Sequence, residues 1–120
     1  MNILIIALDF KPLTGGVAEY THQVARHLHL AGDKVLVLSK RMEGDEEFDA
    51  TCPYDVKRYE YDKIKSSRIR RFRAIYHTVQ EQHPDLILVN HLGSEANMAW
   101  LASRLMAIPY SIIAHGMFKD

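Results

Sequence analysis

The chain opens on a nearly continuous apolar run, Ile3 to Leu8 in "MNILIIAL", with no alternating polar positions to mark a solvent face. Such a run predicts a short strand covered on both sides. After "DFKPLTGG", apolar residues recur at helical spacing: Val17, Tyr20, Val24 and Leu28, with Glu19, Gln23 and Arg26 on other faces. Gly32 stands where a helix C-terminus belongs, and Val35 to Leu38 return as a second buried strand. Strand, helix and strand in such quick succession form a βαβ unit, which makes the two strands parallel.

From Lys40 to Asp55 the pattern dissolves into "RMEGDEEFDATCPYD", an acidic stretch with Gly and Pro that reads as a loop. Weak alternation in "VKRYEY" predicts an edge strand. Ile69, Phe72, Ile75, Tyr76 and Val79 mark a second helix that closes before Pro84. "DLILVN" is a fourth strand, and Ala96, Ala99, Trp100, Ala102 and Leu105 outline a third helix. "YSIIAHG" is a fifth strand with its exit. The succession predicts one α/β domain over residues 1–120. Its form is a Rossmann-like, doubly wound parallel sheet of about five strands in order 3-2-1-4-5, layered α/β/α. Ligands of such sheets bind beyond the carboxyl ends of the strands, at a switch point that here falls beside the first strand.

At 120 residues the chain is long enough for one real core. Fifteen basic and fifteen acidic side chains cancel, so no global field recruits nucleic acid. The single cysteine, Cys52, excludes an internal disulfide and suits a reducing compartment, and nothing nearby marks it as an activated thiol. The apolar start is too short to span a bilayer and lacks a basic leader and a cleavage pattern, so the protein reads as cytoplasmic.

Chemistry concentrates at three strand ends: "DFKPLTGG" after the first strand, "NHLGSE" after the fourth and "HGMFKD" after the fifth. Parallel strands bring all three to one edge. Gly15 and Gly16 lie just before a helix, where free N–H groups and the positive dipole end favour an anion and a missing Cβ permits close approach. The same pair equally serves a loop-to-helix turn that needs positive φ. A P-loop is excluded because no GxxxxGK[ST] occurs, and "TGGVAEY" lacks the dinucleotide order G-x-G-x-x-G. A response-regulator receiver would need clustered acids where Asp9 stands alone.

His91 and His115 each follow an apolar strand directly, so an imidazole there could donate to a phosphate or hydroxyl, or transfer a proton near neutral pH. A bond to a neighbouring loop backbone is the plainer alternative for either one alone. No carboxylate or cysteine has metal-ligand spacing with them, so no metal is expected. His22, His27, His29, His77 and His83 read as surface positions. "SRIRRFR" holds Arg68, Arg70, Arg71 and Arg73. It reads first as a solvated helix face with its apolar stripe in the core, and second as a weak peripheral contact with anionic lipid at the inner membrane face.

Taken together, "P-x-x-GG-x-x-E-x" followed by "LAGDKVLVLS", then "HPDLILVNHLGS", then "IPYSIIAHGMF" resemble in order and spacing the retaining glycosyltransferases of family 4, the group 1 family. Asp33 replaces the histidine customary in their glycine turn. The resemblance implies the N-terminal, acceptor-side domain of a GT-B enzyme, in which two Rossmann-like domains face one another across a cleft. Its partners would be a nucleotide-sugar donor and a glycan, lipid or small-molecule acceptor, with no further cofactor. By the same resemblance Gly15 and Gly16 approach the donor diphosphate and His115 sits beside the transferred sugar and leaving phosphate. His91, Asp9, Lys11 and Glu19 line the acceptor side and the cleft rim. The family's donor-binding second domain is not among these 120 residues, so the expectation is a piece of a longer enzyme, inactive alone. An exposed fifth strand would then promote self-association. The competing readings are a non-catalytic Rossmann-like module that binds a phosphorylated ligand or a partner chain, and a small flavodoxin-like protein.

Overall fold

Parallel strands flanked by helices on both faces form the centre of the protein in a computed structural model, which describes residues 1–7, 10–12, 14–59, 67–90, 100, 103–104 and 106–112. The strands are β1 (Asn2–Ile6), β2 (Lys34–Lys40), β3 (Asp55–Tyr59), β4 (Leu86–Val89) and β5 (Tyr110–Ile112). The helices are α1 (Gly16–Leu30), α2 (Asp45–Asp49) and α3 (Ser67–Gln82). The order β3-β2-β1-β4 is the expected one, with all pairs parallel. The three residues of β5 pair with β4 on its far side, Val89 opposite Ile112.

Successive side chains of β1 and β2 point to opposite faces and feed two separate cores. Ile3, Ile5, Val35 and Val37 pack with Ala25 of α1. Leu4, Ile6, Leu36 and Leu38 pack with Ile75 and Val79 of α3. Both faces are covered, which is why these strands carry no polar alternation. The two helices lie on opposite faces, α1 following β1 and α3 leading into β4, and the strand order reverses between β1 and β4, which makes that place the switch point.

The helix faces differ from the periodicity reading. Tyr20 of α1 is 52% exposed, and the buried positions are Ala18, Thr21 and Ala25. Small residues let α1 lie close to the sheet, and the larger Val24 and Leu28 flank the contact. On α3, Ile69 is 67% exposed whereas Arg71 is buried, so one arginine of the basic run leaves the solvated face and one apolar residue joins it. Arg70 and Arg73 are exposed as expected.

The stretch expected to be a loop contains α2. Gly44 precedes it at φ 81°, Asp45 accepts a hydrogen bond from the Met42 N–H at 3.0 Å, and three acids in its first turn complement the helix dipole. With Phe48 as its one packed apolar residue, so short a helix leaves no period to detect. The third expected helix lies largely outside the described residues, although Trp100, Ser103, Arg104 and Met106 are helical. Among the described residues no helix is long and apolar enough to cross a membrane.

Candidate functional site

The carboxyl edge at the switch point is built from the end of β1, the start of α1 and the end of β4. The Asn90 N–H donates to Ile6 O at 3.1 Å, which continues the β1–β4 pairing one step past the strands. Its buried side chain then crosses to α1, where Asn90 Nδ2 donates to Thr21 Oγ1 at 2.9 Å and the Thr21 hydroxyl donates to Val17 O at 2.9 Å. A polar pair in so dry a place is retained by being bonded, and it ties the first turns of α1 to the end of β4.

The two glycines have different duties. Gly15 is the N-cap of α1 at φ 142° and ψ 163°, backbone that L side chains rarely adopt. Gly16 is the first residue of the helix proper and has no positive φ. A Cβ built on Gly16 would meet no atom of the described residues within 4 Å. The turn therefore requires Gly15, and the fold makes no demand for glycine at residue 16. Gly15 has no side chain to cap the helix, and among the described residues no other caps this end, which leaves its first-turn N–H groups to an anion.

Among the described residues an ion pair stands beside this loop. Lys11 Nζ lies 3.0 Å from Glu19 Oε1, and Gln23 Nε2 donates to Glu19 Oε2 at 2.9 Å. The Gln23 hydrogen bond, then that of Lys11, hold the Glu19 carboxyl below its ordinary range. Lys11 and Glu19, two of the three residues predicted for the rim, therefore pair beside the loop that carries Gly15. Asp9, His91 and His115, also predicted for the site, lie outside the described residues, as does the side chain of Arg68. Among the described residues no group of three His, Cys, Asp or Glu side chains could hold a metal.

Sequence reasoning missed the scaffold behind the loop. Phe10 is fully buried, with the Phe48 ring edge-on at 5.6 Å. The Arg58 guanidinium lies 5.5 Å from the Phe10 ring centre and pairs with Asp49 at 2.7 Å. Arg58 shares a strand face with Val56, and that apolar partner was the available signal that this face turns inward. His22, expected at the surface, is half-buried: its Nδ1 lies 2.6 Å from the Tyr54 hydroxyl and its ring meets Phe48 edge-on at 5.3 Å. Burial depresses the basicity of His22 and pushes the Tyr54 phenol well above its usual range. Neutral imidazole accepting the phenolic proton satisfies both. Cys52 is half-buried and its thiol is likewise pushed up by burial, in keeping with an unreactive role.

The sequence model of one family, Glycosyltransferase Family 4, matches residues 14–120. Solved structures share the fold at low identity. A glycosyltransferase from Rickettsia africae ESF-5 aligns at a TM-score of 0.71 with 15% identity, covering 99% of this chain and 31% of that one. Acinetobacter baumannii MurG aligns at 0.69 with 16% identity, covering 92% of this chain and 34% of that one. The UDP-GlcNAc 2-epimerase of Neisseria meningitidis, solved bound to UDP-GlcNAc, aligns at 0.67 with 15% identity, covering 99% of this chain and 33% of that one. The chain thus spans about a third of the length of each of these three proteins. No curated protein sequence matches it.

Proposed function

The chain belongs to glycosyltransferase family 4, and from that membership we propose that it forms the N-terminal, acceptor-side half of a GT-B enzyme. That enzyme moves a sugar from a nucleotide-sugar donor to a hydroxyl acceptor. The observation that carries the reading is the start of α1 at Gly16, which no side chain among the described residues caps or covers, on the ligand edge of a doubly wound sheet. A leaving diphosphate develops negative charge as the glycosyl bond breaks, and backbone N–H groups already pointing at it stabilise that charge without reorganising. Lys11 and Glu19 fall at the rim, where acceptor hydroxyls would be held. His115 is assigned beside the transferred sugar and His91 beside the acceptor, from their places after β5 and β4 and from the family resemblance. The bound UDP-GlcNAc in the structurally similar epimerase supports a nucleotide-sugar as the donor class.

One open domain does not exclude water from a glycosyl transition state, so the chain of residues 1–120 is inactive by itself. A weaker second reading concerns location at the inner face of a membrane. Exposed Ile69 adjoins Arg70 and Arg73, and a groove of about 310 Å3 is lined by those two arginines together with Tyr59 and His77.

The test compares the polypeptide of residues 1–120 with the full-length enzyme, each folded by circular dichroism, for release of nucleoside diphosphate from a panel of nucleotide sugars. Transfer by the longer protein only is expected. Robust turnover by residues 1–120 alone would refute the assignment as one half of a two-domain enzyme.

A further inference from the structure

We propose that Arg58 is a positioning residue for the transfer reaction, setting the loop between β1 and α1 at the height from which Lys11 and Gly16 meet substrate. The proposal rests on the functional reading of that loop given above. Arg58 sits on the strand paired to one side of β2 only, yet its side chain is 2% exposed while the flanking Lys57 is exposed. Its Nε and Nη2 form a two-point grip on Asp49, at 3.1 and 2.7 Å. Nη1 donates to the Lys40 carbonyl at 3.1 Å, and Nη2 also donates to the Lys11 carbonyl at 2.6 Å. One guanidinium thus joins four pieces of chain: its own strand, the exit of β2, the end of α2 and the loop that leads to Gly16.

Stability alone is a weak reason for such a group, because a buried ion pair replaced by packed apolar side chains is often neutral. What apolar side chains do not supply is direction. The planar fork fixes the Lys11 carbonyl relative to Asp49 and Lys40, and lysine, a point donor on a flexible stem, cannot bridge all three at once. α2 gains a purpose from the same geometry, since it delivers Asp49 to the guanidinium and Phe48 to the Phe10 ring. Preorganised donors act on a transition state only when held to within a fraction of an ångström, and a loop loosened by about 1 Å loses much of that effect.

The experiment uses the full-length enzyme carrying Arg58→Lys or Gly16→Val. Donor kinetics are measured well below the melting temperature, alongside amide hydrogen exchange resolved over residues 10–16 and over β1 and β2. Arg58→Lys is expected to lower kcat/KM for the nucleotide sugar by about tenfold or more. Exchange at residues 10–16 should quicken while the protection of β1 and β2 holds. That combination upholds the positioning role whichever way Gly16→Val behaves. Normal kinetics in Arg58→Lys with impaired Gly16→Val overturns the positioning role and leaves the functional reading intact. Normal kinetics in both variants overturns the reading of the loop, and the positioning role with it. Lost activity without faster exchange at residues 10–16, or with protection lost across β1 and β2, assigns Arg58 to some other task and likewise overturns the proposal.

Discussion

Substituting the two glycines one at a time separates what the turn needs from what a ligand needs. At φ 142° and ψ 163°, Gly15 occupies a region almost closed to residues with a Cβ, so Gly15→Ala should destabilise the fold by about 1–3 kcal/mol. Gly16 is helical, and a new Cβ there finds open space. Gly16→Ala should therefore be neutral or should stabilise by no more than about 1 kcal/mol, the usual helix preference for alanine over glycine. Gly16→Val, with a stiffer side chain, gains less, and its Cβ meets no atom of the described residues within 4 Å. In a domain of this size 1 kcal/mol corresponds to a few degrees of melting temperature, roughly 3–5 °C. Calorimetry should accordingly show Gly15→Ala melting clearly lower and both Gly16 variants close to the parent. Transfer by the full-length enzyme should nonetheless collapse in Gly16→Val, because the side chain stands where a diphosphate would approach the backbone. A Gly16→Val protein that melts as low as Gly15→Ala and loses activity only in proportion would refute the argument and return both glycines to the turn.

His115→Ala in the full-length enzyme should lower turnover by about two orders of magnitude with little change in substrate affinity, if the imidazole bonds chiefly in the transition state. Steady-state kinetics with folding checked by circular dichroism decides it, and near-normal turnover would remove His115 from the site. Burial lowers the His22 pKa in the folded state, opposed in part by Glu19 and aided by Lys11 and Arg26, so the unfolded chain binds a proton there more readily than the native one. Stability from His22 is therefore complete above about pH 6.5 and is lost as pH falls below it. The melting temperature should drop between about pH 7.5 and 5.5, and more steeply than in His22→Phe. Parallel curves for the two proteins would show that the contact with Tyr54 is not coupled to protonation.

The strands were legible because a strand buried on both faces leaves an unbroken apolar run, and Ile3 to Leu8 and Val35 to Leu38 are such runs. Their order followed from right-handed crossovers, which admit few arrangements of this element sequence. Helix faces were legible only in part. Hydrophobic spacing singles out the largest apolar residues, whereas α1 turns its smallest toward the sheet, and Thr21 qualifies only because Asn90 lies within bonding reach. α2 was illegible because five residues with one packed apolar side chain show no period, and the bonding of Arg58 because its partners Asp49 and Lys11 are not adjacent in sequence. Before α1, the need for a turn glycine was readable from the local motif, whereas the Lys11–Glu19 ion pair depends on how the chain enters the helix and was not. The distinction between Gly15 and Gly16 is a matter of backbone angles, which two identical letters do not encode.

The small-residue contact of α1 makes the helix a lever. Its 15 residues form a rod of about 22 Å, seated on Ala18, Thr21 and Ala25 with little thickness between helix axis and sheet. A methyl or two added at Ala25 has no room to be absorbed there, so the rod tilts about its seat at Ala18 and Thr21, which Asn90 tethers, and displaces its far end. That far end is Leu30, whereas Gly16 lies two residues from Ala18 and keeps its place. Substitutions in the C-terminal half of the seam are thus absorbed at the Leu30 end, and the turn at Gly15 is insulated from them.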